Sequence, residues 1–296
     1  MKTAIVTGAA GFAGCHLTKT LSENGYRVYA VLRPGSTHNG RLAGLNNVVC
    51  IEADVYSDET LSSLIPGQCD LFFHMAWMSG GRYDYDTQMR NAWITLRMAK
   101  LASETGCRRF VGIGSQAEYG STEEEITEDT WPAPFCAYGV SKLAACYLSK
   151  QIAEENGMEW VWGRIFSVYG ENEPAERLIP RLMESFQNGS DISLSSCRQN
   201  WDFLYGKDAG EALLAIAEKG GNGEIYNIAD GRYRPLKEYV EIINDIYGKN
   251  SSIPYGEDPK PFVSLQPSVE KLKRDTGWVP KTDFRTKIQE LKAEMT

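Results

Sequence analysis

The sequence predicts an α/β protein built on a doubly wound, parallel sheet with a smaller C-terminal α/β lobe. Two observations carry that expectation. Short runs rich in Val, Ile and Phe recur through the first half, each followed by a helix-length stretch; strands alternating with helices are the pattern of a doubly wound sheet. The runs are bounded by Gly, Asn or Asp and are apolar almost throughout, as strands covered on both faces are.

In chain order, strands are expected at 3–7, 27–32, 48–52, 71–74, 110–114 and 160–165. Helices are expected between them at 12–24, 57–65, 86–105 and 138–156. From about residue 171 proline and glycine punctuate the chain, and helices are expected at 175–188, 207–219, 235–248 and 267–275. The run Glu-Ile-Tyr-Asn-Ile-Ala at 224–229 reads as a strand that can return to the main sheet. We therefore assign 1–170 to a nucleotide-binding unit, with 200–230 returning to it, and 171–296 mainly to a substrate lobe.

Composition narrows the function classes. A net charge of −8 argues against a nucleic-acid partner, whose affinity would come from clustered Lys and Arg. The seven cysteines contain no Cys-x-x-Cys and the three histidines are scattered, which fits a reduced chain without a metal centre. Met1-Lys2 runs directly into a strand, and no apolar run is long enough to cross a membrane. The expected setting is the cytoplasm, with no membrane partner.

Gly8, Gly11 and Gly14 lie in Thr7-Gly-Ala-Ala-Gly-Phe-Ala-Gly14, after the first strand and at the start of the first helix. Glycines there allow a tight turn, close approach to a pyrophosphate and close packing of helix on sheet, while N–H groups at the helix start (Phe12, Ala13, Gly14) face the phosphates. The spacing is Gly-x-x-Gly-x-x-Gly, and the roles remain those of a Rossmann-like dinucleotide site. The second strand ends in Arg33-Pro-Gly-Ser36, where an NAD enzyme usually carries an acidic residue. Arg33 offers a cation to a 2′-phosphate, with Ser36 and Arg41 adding to it, so NADP is the expected cofactor; NAD is the alternative if Arg33 is only a solvated loop residue. Asp54, beside Val55, is placed either to meet the adenine or to cap the next helix. Met75 and Ala76 follow the fourth strand on the same edge.

Tyr138 and Lys142 stand four residues apart in Ala-Tyr-Gly-Val-Ser-Lys. On a helix they share a face, so the ammonium can lie near the phenol and favour its ionised form. Such a phenol suits proton exchange with a sugar hydroxyl or ketone.

With these pieces in order, the chain resembles the extended short-chain dehydrogenase/reductase superfamily, in its NAD(P)-dependent nucleotide-sugar epimerase/dehydratase branch. The resemblance runs the whole length. It includes the glycine turn, Asp54, His74-Met-Ala76, Asn91, Gly114-Ser-Gln-Ala-Glu-Tyr-Gly120, Tyr138-x-x-x-Lys142, Arg164-Ile-Phe-Ser-Val-Tyr-Gly170, Asp202-Phe-Leu-Tyr205 with Asp208, Tyr226-Asn-Ile-Ala-Asp-Gly231 and Lys273-Arg-Asp-Thr-Gly-Trp-Val-Pro280. It implies that Tyr138 exchanges the proton at the reacting sugar oxygen, that Ser115 hydrogen-bonds the same oxygen, and that Lys142 holds the nicotinamide ribose.

Departures from the family pattern narrow the chemistry. Dehydratases of this branch carry Asp and Glu after the Ser/Thr; here Gln116 and Ala117 stand there, which argues against dehydration. Glu118 is either a surface carboxylate or a substrate contact. Ser167 replaces an Asn that contacts the diphosphate, and keeps one hydrogen-bond donor. Trp201 replaces an Arg, leaving Arg198 or Arg177 as the cation, while Trp201 itself stacks on the ligand or joins the core. The loop from Trp77 to Arg82 is either a substrate-facing loop or an ordinary connection.

The expected function is redox chemistry at C4 of a nucleotide-diphosphate sugar, with Arg33 favouring a 4-keto-sugar reductase. A 4-epimerase needs the same residues and is the alternative; a non-catalytic dinucleotide sensor is the alternative of another class. The resemblance also implies a homodimer through the helices near 86–105 and 138–156.

Overall fold

The computed structural model describes residues 1–57, 61–190, 192–247 and 253–294. Seven strands form one sheet in the order β10-β6-β5-β4-β1-β2-β3: β1 (Thr3–Thr7), β2 (Arg27–Leu32), β3 (Val48–Glu52), β4 (Leu71–His74), β5 (Arg109–Ser115), β6 (Glu159–Ile165) and β10 (Glu224–Ile228). Every pairing in it is parallel. The expected doubly wound α/β fold is therefore present. The chain moves outward from β1 to β3 and then returns to β4 beside β1, so the crevice of the sheet opens between β1 and β4, where ligands of such sheets bind.

Helices cover both faces. On one, α1 (Phe12–Glu23), α6 (Gly206–Lys219) and α8 (Glu270–Thr276) pack Leu17, Leu21, Leu213, Ile216 and Leu272 against Val6, Val111 and Val161. On the other, α2 (Leu61–Leu64), α3 (Tyr85–Glu104) and α4 (Ala137–Glu155) pack Ile94, Met98, Ala145 and Cys146 against Ile5, Phe72 and Phe110. Trp160 and Trp162 alternate onto this second face of β6, stacked at 5.9 Å between ring centroids. Their bulk explains the glycines of β5: a Cβ on Gly112 or Gly114 would occupy the Trp162 ring. Residues 58–60 of the helix expected at 57–65, and Gly248 of that expected at 235–248, lie outside the described residues.

A second, smaller core lies beyond the carboxyl edge. It is built by β7 (Ser167–Tyr169) paired with β9 (Phe203–Tyr205), β8 (Asn200–Trp201) paired with β11 (Arg234–Pro235), and helices α5 (Leu178–Asn188), α7 (Leu236–Tyr247) and α9 (Phe284–Glu294). In α5, Ile179, Leu182, Met183 and Phe186 are buried, the one-sided stripe of an amphipathic helix. They meet a cluster in which Phe284 lies 4.9 Å from Tyr169 and 4.7 Å from Tyr239, ring to ring. The short strands and α9 were not expected from the sequence.

The expectation of a wholly reduced chain is corrected. Cys69 and Cys107 form a disulfide, with Cα atoms 4.6 Å apart. They enter β4 and β5, parallel neighbours paired in register from Leu71 and Arg109 onward, so the fold brings the two thiols together.

Candidate active site

The glycine turn after β1 is shaped by two close approaches. Gly8 has φ +67°, and a Cβ there would stand 2.8 Å from the Ala76 backbone; a Cβ on Gly14 would strike the Gly8 carbonyl. Helix α1 then starts with Gly11 as its N-cap and no side chain capping it. Beneath the turn, the Thr7 hydroxyl bonds His74 Nδ1 at 2.8 Å and accepts from the Ala76 N–H at 3.3 Å, tying β1 to β4 at the crevice. Burial, with the Lys142 charge behind it, pushes His74 down to about 3 and keeps it neutral. A cradle that any Cβ would fill, beside an uncapped helix start, fits the pyrophosphate of a dinucleotide.

Two cavities of about 460 and 420 Å³ adjoin at this edge. The first is lined by Gly8, Gly11, Phe12, Ala13, Gly14 and Met75, the second by Arg82, Gln116, Ser167, Glu173 and Trp201. Ser115, Tyr138 and Arg177 line both, so they stand where the two meet. Lys142 lines the first.

Ser115 ends β5, and its hydroxyl accepts the Ala117 N–H at 3.2 Å. Tyr138 and Lys142 come from the first two turns of α4, and the Tyr138 N–H is held by the Arg82 carbonyl at 3.0 Å. Burial raises the Tyr138 phenol, with the Ser115 hydrogen bond pulling it back and the Glu118 charge adding to the rise. Lys142 Nζ lies 6.0 Å from the Tyr138 ring and donates to the Ile113 carbonyl at 2.7 Å. Its other neighbour is the Trp77 indole face at 3.6 Å. Burial pushes the ammonium down to about 7, against the pull of the Glu118 charge. Burial thus outweighs the simple expectation of a phenol ionised by its lysine, and in the free protein the phenol stays neutral.

Glu118 matches neither reading given to it. Its side chain is fully buried, and Oε1 accepts from the Ser115 N–H at 2.8 Å and from Trp162 Nε1 at 3.2 Å. Oε2 takes Arg164 Nε at 2.7 Å, and that guanidinium sits 4.4 Å over the Tyr119 ring. The carboxylate positions Ser115 from behind.

The structure sorts the remaining expected residues. Arg198 is not brought to the cavities; it is exposed and paired with Asp258. Arg177 is the cation that is present, its guanidinium 5.6 Å over the Phe12 ring. Trp201 combines both readings, packing 6.5 Å from Phe203 while lining the second cavity. Trp77 lines the first cavity, its Nε1 donating to Gln88 Oε1 at 2.9 Å. Arg33, Ser36, Arg41, Asp54, Val55 and Ala76 line neither. Arg33 is exposed, Ser36 accepts the His38 N–H at 3.3 Å, and Arg41 donates to the Ala10 carbonyl at 3.1 Å. The Asp54 carboxylate accepts from Tyr56 N–H and the Ser57 hydroxyl and so caps its own turn. Val55 and Ala76 pack into the core on the α3 side.

Gln88 and Glu173 were not among the residues expected at the site, and Asn91 entered only as part of the resemblance. Gln88 and Asn91, buried on α3, hold the loop after β4: Asn91 accepts from the Met78 N–H at 2.7 Å and donates to its carbonyl at 3.0 Å, and Gln88 donates to the Gly81 carbonyl at 3.2 Å. Glu173, after β7, places a carboxyl in the second cavity. Polar residues at i and i+3 within the apolar stripe of α3 were the available signal.

This arrangement of glycine cradle, Ser, Tyr and Lys meets a direct comparison with known proteins. The model of the NAD dependent epimerase/dehydratase family matches residues 4–229. The chain belongs to that family. Among epimerase/dehydratase relatives, the trifunctional UDP-glucose 4,6-dehydratase/UDP-4-keto-6-deoxy-D-glucose 3,5-epimerase/UDP-4-keto-L-rhamnose-reductase of Arabidopsis thaliana is 26% identical over 96% of this chain and 45% of its own length. The chain spans about half the length of this relative and of a second trifunctional protein of the same plant, 45% and 46%. An uncharacterized UDP-glucose epimerase of Bacillus subtilis is 25% identical over 95% of this chain and 94% of its own. The structure of UDP-glucuronic acid 4-epimerase from Bacillus cereus in complex with NAD superposes with a TM-score of 0.85 at 23% identity, covering 97% of this chain and 94% of that one. That likeness is one of fold. No helix among the described residues is long and apolar enough to cross a membrane.

Proposed function

We propose that this family member is a 4-epimerase of nucleotide-diphosphate sugars. The observation that carries the reading is the position of Ser115 and Tyr138 at the junction of the two cavities, one shaped for a dinucleotide and one lined by Arg82, Ser167 and Trp201. A bound nicotinamide ring supplies reversible hydride chemistry at the sugar carbon. Tyr138 would exchange the proton at the C4 oxygen: ionised beside Lys142 and the positive charge of a bound oxidised nicotinamide, it would accept the hydroxyl proton as the carbon is oxidised and return it when the carbon is reduced on its other face. Ser115 orients that oxygen, with its own backbone N–H fixed by Glu118. Lys142 places an ammonium beside the phenol on the cofactor side, and Arg82 and Arg177 supply charge for the diphosphate.

Net reduction of a 4-keto sugar was the leading expectation, on the strength of Arg33. Relatives named for UDP-sugar epimerases favour the alternative. The test incubates the protein with dinucleotide and a panel of UDP-, dTDP-, GDP- and CDP-sugars, including 4-keto forms. Interconversion without net change in nicotinamide absorbance supports epimerisation; stoichiometric cofactor oxidation overturns it.

Three finer readings accompany this one. Exposed Arg33 after β2, with Arg41 anchored at the glycine turn, supports NADP over NAD; tighter binding of NADH than NADPH would sink that preference. Exposed Met89 and Trp93 on α3, with Tyr147 and Leu148 on α4, support a homodimer through this face, which sedimentation of wild type and Trp93→Asp decides. Dependence on nucleotide sugars and dinucleotide supports a cytoplasmic setting, the Cys69–Cys107 disulfide stands against it, and cell fractionation decides.

A further inference from the structure

Among the described residues the second cavity holds one carboxyl, and neither the dinucleotide nor the reacting C4 oxygen makes use of it. Glu173 lines it together with Ser115, Gln116, Tyr138 and Ser167, on the loop that leaves β7. Its Oε2 lies out of reach of solvent with no hydrogen-bond partner among the described residues. An acceptor left unpaired in that way costs free energy unless a ligand completes it. Burial pushes the carboxyl up to about 7, with Arg177 and the Gly170 backbone pulling the other way, so part of its cost is already visible in the free protein.

A diphosphate would match the cavity's cations, Arg82 and Arg177, and Glu173 is then the charged lining group that remains for the sugar. A hexose hydroxyl or amide N–H is a donor for which a buried carboxylate oxygen is the complement. A hexuronate would instead set a second carboxylate in the same cavity, and like charges brought together in a desolvated site discriminate strongly.

We propose that Glu173 sets the sugar class: it accepts a hydrogen bond from a substituent of an uncharged hexose and turns hexuronates away. This rests on the nucleotide-sugar reading above and deepens it. It also separates this chain from structural neighbours crystallised with UDP-glucuronic acid.

The test is calorimetric titration of the protein carrying its dinucleotide with UDP-glucose, UDP-glucuronic acid and UDP alone, for wild type, Glu173→Gln and Glu173→Ala. Wild type should prefer UDP-glucose by about tenfold or more. Both variants should bring the two affinities within about threefold, with UDP unchanged, because the discrimination lies in the sugar. Equal or tighter binding of the uronate by wild type, where a protonated Glu173 would donate to it, overturns the proposal; so does an unchanged ratio in both variants, or binding of neither sugar nucleotide. Discrimination without any C4 interconversion would sink the proposed reaction and leave Glu173 in its role. Interconversion with equal affinities would do the reverse.

Discussion

Glu118 and Arg164 form an ion pair that is 0% and 1% exposed, and Glu118→Gln breaks it at constant size. The amide keeps one oxygen where the carboxylate had two. It can accept from Ser115 and Trp162 only by turning its NH2 toward the guanidinium, or serve Arg164 and abandon the other two. Either way Arg164 is left as a buried charge without an opposite charge beside it, resting on the Tyr119 ring face at 4.4 Å. Removing one partner of a buried pair costs about 3–5 kcal/mol. At about 2–4 °C per kcal/mol for chains of 150–250 residues, and less for longer ones, Tm should fall by roughly 5–15 °C. Differential scanning calorimetry of wild type, Glu118→Gln, Arg164→Met and the double variant reads this directly. The double variant leaves no buried charge and should lose less than the sum of the two singles. A Glu118→Gln protein melting within about 2 °C of wild type, or strict additivity, would refute the reasoning.

Further outcomes follow from the same geometry. Tyr138→Phe should lower sugar turnover by about 10²–10⁴-fold and leave dinucleotide affinity unchanged; a loss below about tenfold in steady-state assays would remove Tyr138 from the chemistry. The Lys142 ammonium, held at about 7 by burial, binds fewer protons folded than unfolded from there to about 10, so its contribution to stability rises with pH across that window. Lys142→Met should therefore raise Tm most near pH 6 and lose its advantage toward alkaline pH; parallel melting profiles would contradict the assignment. Asn91→Ala leaves the Met78 carbonyl without its Asn91 donor and the Met78 N–H with the Tyr56 hydroxyl alone, and should cost about 1–3 kcal/mol in denaturant titrations while raising KM for the sugar nucleotide.

The first four strands were legible because each is an apolar run with a turn former close to one end, and that signal is local. The Ser115, Tyr138 and Lys142 set was legible by spacing and resemblance, and the structure brings all three to one crevice edge. What escaped was non-local. Glu118 looks like a surface residue beside Tyr119-Gly120, and is buried only because Trp162 and Arg164 arrive on β6, 44 and 46 residues later. Arg198 reads in the sequence as a ligand cation, but Asp258 reaches it across 60 residues. The Cys69–Cys107 bond joins thiols separated by 38 residues that only parallel neighbours bring together. Strands of two or three residues such as β8 and β11 carry no period to read. In α9 the stripe of Phe284, Ile288 and Leu291 was hidden among charges.

The indole of Trp77 rests on the Lys142 ammonium at the wall of the first cavity, and that contact gives the molecule an optical reporter. A ribose that hydrogen-bonds the ammonium must share or displace the ring, changing the polarity around one fluorophore among seven. Emission of a variant retaining Trp77 and replacing the exposed Trp93 and Trp131 would follow cofactor arrival in real time. Occupancy can then be counted separately from catalysis, before any sugar that the enzyme accepts has been found.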